Sequence, residues 1–121
     1  MTLFVCFWAA LLCLPSAALA LPLLSEVYYD AMGSDNGLVF VELYGAPGQD
    51  LSGYVIEGIN GADGGGTVSF ALAGTIPASG FFVVGDDAGD GTSLVTPVDL
   101  VRNFDFHRMG PTPCCYGWEN S

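Results

Sequence analysis

The chain has 121 residues, room for one domain at most. Thirteen acidic residues stand against Arg102 and Arg108, no lysine is present, and the net charge is -11. That balance excludes an electrostatic footprint on nucleic acid or on an anionic membrane, and it leaves divalent cations and basic partners open.

Residues 3–14 are an uninterrupted apolar run, ended by Pro15 and by small residues leading to Ala18-Leu19-Ala20. This is the layout of a secretory signal peptide, so residues 1–20 are expected to be removed after Ala20 and the protein to be secreted or held at the cell surface. No Lys or Arg precedes the run, and a membrane anchor is the alternative reading. Pro15, Pro22 and a core shorter than the ~20 residues of a membrane span favour cleavage, and with it no stable membrane insertion. Cys6 and Cys13 would leave with the leader.

Beyond the leader, short apolar segments alternate with Gly, Pro, Asp and Ser, which makes an all-β domain the expectation for residues 21–106. The first strand is expected over 23–30, with Val27 and Tyr29 on one side and Leu24, Glu26 and Tyr28 on the other. Turn chemistry follows, with Asn36-Gly37 suited to positive φ. Residues 38–44 set Val39, Val41 and Leu43 against Phe40, Glu42 and Tyr44, and the lone Glu42 marks the second set as the solvent face. A third strand is expected over 51–59, with Tyr54 and Ile56 inward. The glycine-rich loop 60–66 has no evident side chain to hold it and is expected to be mobile. Residues 67–72 alternate Val68, Phe70 and Leu72 against small or polar neighbours. After the Ile76-to-Gly80 turn, residues 81–84 are apolar on both faces and read as a central, buried strand. The acidic loop 86–91 leads to a further short strand within 95–101, Pro97 at its edge or start.

No chemistry-bearing constellation stands out. Asp86-Asp87-Ala88-Gly89-Asp90-Gly91 has the texture of a calcium loop, but Ala88 takes a ligand position and Pro97 stands where the closing Glu belongs. A looser calcium site from Asp86, Asp87 and Asp90, or from Asp30 and Asp35, competes with a plain solvated acidic turn, the favoured reading. His107 with Cys114 or Cys115 lacks an orienting partner, and adjacent cysteines seldom form a relaxed disulfide. Glu26 and Glu42 are better explained as charge on an exposed sheet face than as a glycosidase pair in a cleft. Asn60-Gly61 and the following glycines lack the Lys-Ser/Thr of a phosphate loop. Phe40, Tyr54, Phe70, Phe81 and Phe82 read as core. No residue is therefore assigned a catalytic, cofactor-binding or metal role, and no cofactor is expected.

Five segments in order carry a family resemblance: Ser25-Glu26-Val27, Phe40-Val41-Glu42-Leu43, Leu51-Ser52-Gly53-Tyr54-Val55-Ile56, the run from Ile76 to Val84, and Asp99-Leu100-Val101. Together they resemble the lamin tail domain in its secreted bacterial branch, with Tyr54 where that family usually has tryptophan. The resemblance implies an immunoglobulin-like β-sandwich without catalytic activity, of a kind that often accompanies secreted nucleases and phosphatases. It ends after Phe106. There the family would continue with a segment like Gln-Asn-Gly-Pro-Asp-Ser and two more strands. Residues 107–121, written in permitted codons and read in a shifted frame, give QNGPDSVLLWLGEQ, so the tail reads as a frameshift product and the sandwich as lacking its last strands.

The function expected from all this is that of a secreted, non-catalytic interaction or attachment module with a protein or cell-surface partner. Alternatives are a truncated accessory domain of a longer secreted hydrolase, nuclease- or phosphatase-like, and a calcium-dependent adhesion module. A secreted enzyme in its own right is disfavoured by the residue inventory. Missing strands would bare a sheet edge and favour poor solubility or dimerisation through it.

Overall fold

Period-two alternation brings side chains from the two sheets onto a shared core. The computed structural model describes residues 20–104, 106 and 115–120, the last six by their backbone. The strands are β1 (Leu23–Tyr28), β2 (Phe40–Tyr44), β3 (Tyr54–Ile59), β4 (Gly66–Ala71), β5 (Phe81–Asp86), β6 (Leu100–Arg102) and β7 (Cys115–Asn120). They form a four-stranded sheet in the order β1-β2-β5-β6 and a three-stranded sheet in the order β4-β3-β7. All neighbours run antiparallel except β5 and β6, which are parallel. The expected all-β sandwich is the observed architecture. No helix among the described residues is long and apolar enough to cross a membrane. The leader, residues 1–20, lies outside the described residues except for Ala20.

One core joins the sheets. Val39, Val41, Leu43, Phe82 and Val84 come from the β2–β5 side, Ile56 and Phe70 from β3 and β4, and Leu51, Leu72, Ile76, Phe104 and Phe106 complete it. Phe104 stacks on Phe70 at 4.7 Å between ring centroids and meets Phe106 edge-on at 5.1 Å. Each such ring pair adds roughly 0.5–1.5 kcal/mol beyond its buried area.

The structure departs from the sequence expectations at several places. In β1 the register shifts between Leu24 and Glu26. This bulge inserts Ser25 and turns Leu24 to the same side as Val27, so both pack against the core instead of on opposite faces. In β5, Phe82 and Val84 are buried but Phe81 is 43% exposed. The strand is central by pairing, yet its outer face is open at the Phe81 end. The strand expected over 95–101 is only Leu100–Arg102. Ahead of it the Val83 N–H donates to the Asp99 carboxylate at 2.8 Å, a side chain standing where a ladder bond would be. Loop 60–66 does have holding side chains, since Asn60 Oδ1 accepts from the Ala62 N–H and Asp63 Oδ1 from the Gly65 N–H, both at 2.9 Å.

The tail supplies the largest difference. Sequence reading places no strand there, yet Cys115–Asn120 pairs antiparallel with β3, from Tyr54 opposite Asn120 to Ile59 opposite Cys115. A sheet edge needs only backbone groups from its neighbour, and a segment with Tyr116 and Trp118 suits extended pairing. The edge of β3 away from β4 is therefore paired.

Candidate functional site

The outer face of the four-stranded sheet is built by registration across β1, β2 and β5. Leu23 lies opposite Tyr44, and Tyr44 opposite Phe81. One step along, Glu26 lies opposite Glu42, and Glu42 opposite Val83. One step further, Tyr28 lies opposite Phe40, and Phe40 opposite Gly85. Because alternate residues share a face, these three rows point away from the core that holds Val41, Leu43, Phe82 and Val84.

The rows leave large apolar groups in water. Leu23 is 60% exposed, Tyr44 50% and Tyr28 42%, beside the exposed Phe81. Tyr44 and Phe81 tilt against each other with centroids 5.3 Å apart, and Tyr28 stacks on Phe40 at 5.8 Å. Between the two ring pairs runs the carboxylate row. The Ser25 hydroxyl donates to Glu42 Oε1 at 2.7 Å, so the bulge residue positions that carboxylate. Arg102, the only described cation, turns elsewhere: its Nε donates to the Ala71 carbonyl and its Nη1 to that of Val101. The Glu26–Glu42 pair thus has no ionic partner among the described residues.

The acidic loop behaves differently from a metal site. Asp86 is only 5% exposed. Its Oδ2 accepts from the Gly37 N–H at 2.8 Å and its Oδ1 from the Phe104 N–H at 2.9 Å, which ties two loops to the end of β5. Asp87 Oδ1 accepts from the N–H groups of Gly89, Asp90 and Gly91. Asp90 Oδ1 accepts from the hydroxyl of Thr92 at 2.6 Å and from its N–H at 3.0 Å. The Thr92 hydroxyl first, then its N–H, holds the Asp90 carboxyl below the ordinary aspartate value. Asp50 is lowered likewise, by the Ser52 N–H first and then its hydroxyl. Asp35 Oδ1 accepts from the Ala31 N–H at 2.8 Å. Of the candidate calcium ligands, Asp35, Asp86, Asp87 and Asp90 thus hold loop N–H groups, and no group of three or more His, Cys, Asp or Glu that could hold a metal occurs among the described residues.

His107 and Cys114 lie outside the described residues, as does the side chain of Cys115. Glu26 and Glu42 do come together, but on an open sheet face. Phe40 and Phe81, read as core from the sequence, belong partly to this surface. The signal that would have found it was the Phe40-Glu42-Tyr44 alternation extended to neighbouring strands, which needs the register. No family model, curated protein or solved structure matches the chain.

Proposed function

We propose that this chain is an exported, non-catalytic interaction or attachment module of the lamin tail type, with an immunoglobulin-like sandwich presenting one sheet face to a protein or cell-surface partner. The observation that carries the reading is the outer face of β1, β2 and β5, where Leu23, Tyr44 and Phe81 stand exposed in one row and Tyr28 in another, on either side of the Glu26–Glu42 row. Exposed clusters of large apolar groups bordered by polar ones mark interaction sites on soluble domains. The order of the resembling segments adds support, since they fall on β1, β2, β3, β5 and β6 in sequence. Likeness of fold alone is a weak warrant for function, so the face bears the weight.

The test is retention on intact cells of the encoding organism. The purified chain should sediment with the cells, and Tyr44→Ser/Phe81→Ser should stay in the supernatant with an unchanged unfolding midpoint. Equal retention of both proteins would remove this face as the contact. Retention of neither would remove the attachment role.

A further inference from the structure

We infer that the aromatic face docks a basic polypeptide, whose Arg or Lys side chains sit over the Glu26–Glu42 row between the Tyr44–Phe81 and Tyr28–Phe40 ring pairs. The inference rests on the interaction reading above and names the partner's chemistry.

Three observations converge on it. The first is the uncompensated pair itself. Like charges directly opposite on neighbouring strands repel, and Glu26 faces Glu42 with no cation among the described residues to relieve them. A partner cation placed there gains attraction without displacing an existing ion pair. The second is geometry. Same-face neighbours along a strand are two residues apart, about 6.7 Å, so the carboxylate row lies one step from a ring pair on either side. A guanidinium or ammonium held by the carboxylates is then close to the ~6 Å range in which aromatic faces attract cations. The apolar stem of the same side chain would lie along Leu23, Tyr44 or Phe81.

The third observation discriminates among occupants. A net charge of -11 opposes a second copy of this chain on the same face, and equally a nucleic acid or an anionic bilayer. A neutral glycan could stack on the rings but would gain nothing from the paired carboxylates. A basic chain gains from both, and the field of the whole protein would speed its arrival in a salt-sensitive way.

The experiment uses the full chain and an octa-arginine peptide, followed by calorimetry at physiological and high salt. Glu26→Gln/Glu42→Gln is expected to weaken binding by at least about tenfold, the order found for close charge pairs across interfaces. Asp50→Asn/Asp63→Asn removes the same charge from exposed loops and is expected to change affinity less than about twofold, since exposed charges away from the contact are screened. Unfolding midpoints confirm that both variants fold. Equal weakening by the two variants would overturn the proposal, because net charge alone would then explain binding. So would dimerisation through the face, or tighter binding of a neutral hexasaccharide such as cellohexaose. Cell retention separates this inference from its parent. Retention that depends on Tyr44 and Phe81 but is indifferent to Glu26, Glu42 and salt refutes the basic partner and keeps the interaction module. Retention indifferent to all four residues refutes both.

Discussion

Asp86 is the residue whose removal should tell most about this fold. Its buried carboxylate takes the Gly37 and Phe104 N–H groups, one on each oxygen. Both donors belong to buried residues. Asp86→Ala leaves two N–H groups without their acceptor, and each orphaned buried group costs about 1–3 kcal/mol, so the loss should be roughly 2–6 kcal/mol. That is a large share of the ~5–15 kcal/mol that holds an ordinary domain together. Asp86→Asn keeps one carbonyl oxygen but turns an amide donor toward the other N–H, and should fall between the two. Urea unfolding reads the effect: with a slope of about 1.5 kcal/mol/M, a 3 kcal/mol loss lowers the midpoint by about 2 M. The same titration with calcium and with chelator separates a loop anchor from a cation ligand. A loop anchor predicts identical wild-type midpoints under both conditions. An Asp86→Ala midpoint within about 0.3 M of wild type would refute the anchoring argument, as it corresponds to less than the lowest cost of one orphaned N–H.

Gly85→Ala should destabilise by about 1–3 kcal/mol in thermal or urea unfolding, since overpacking has that scale. Its Cβ would strike Ser93 Oγ and come within 2.9 Å of Val98 Cγ2, and an unchanged midpoint would show that loop 87–99 yields freely. Thr92→Val should raise the titration midpoint of Asp90, followed by carboxyl-carbon NMR, because the hydroxyl is the leading cause of its lowering. The sign follows from linkage. A lowered folded value means that the bond's contribution is complete above the ordinary ~3.9 and fades as pH falls below it through the folded value. An unmoved midpoint would place the cause elsewhere. On mild alkaline incubation Asn60 should deamidate ahead of Asn36: the exposed Gly61 nitrogen attacks the Asn60 side-chain carbonyl, ammonia leaves, and water opens the ring to Asp or isoaspartate. Gly37 is spared that role because its N–H is bound to Asp86, so peptide mapping that finds Asn36 altered first would contradict the structure.

What could be read from the sequence was whatever period two alone decides. Val39, Val41 and Leu43 against Phe40, Glu42 and Tyr44 gave both faces of β2, and Val68, Phe70 and Leu72 gave the inner face of β4. A one-residue insertion escapes that logic, because Ser25 is unremarkable in composition and only its register reveals the bulge. β5 defeats it differently: Phe81-Phe82-Val83-Val84 has no polar residue to mark the wet side, so only the position of its sheet decides. Asp86 looked like a loop acid because its partner Gly37 lies 49 residues earlier. Phe104 and Phe106 follow the short β6 and lie in no strand, and their burial shows only in three dimensions. The candidate face combines these failures, being made of cross-strand neighbours that no local window contains.

The sandwich's two outer surfaces differ in a way that favours one of them for recognition. On the three-stranded sheet, β3 and β4 set Val55 opposite Ala71 and Glu57 opposite Ser69, small or polar pairs that offer little to a partner. On the four-stranded sheet the protein covers one end of the face itself. Gly85 continues the Tyr28–Phe40 row, and Ser93 and Val98 sit directly above it, a close approach only glycine permits. Loop 87–99 is thus folded over that end, with its exposed Asp90 beside the half-buried Asp87 that caps it. The opposite end, where Leu23, Tyr44 and Phe81 meet, has no such cover among the described residues and carries the face's most exposed rings. Asp86 fixes the arrangement by joining the Gly37 turn and the Phe104 segment to β5 beneath the folded loop. A partner would therefore meet an open aromatic end, a carboxylate row behind it, a second ring pair beyond that row, and an acidic loop at the far margin. Negative charge thus sits in the central row and at one margin only, so on the proposed reading the two ends of the face are unequal to a basic chain.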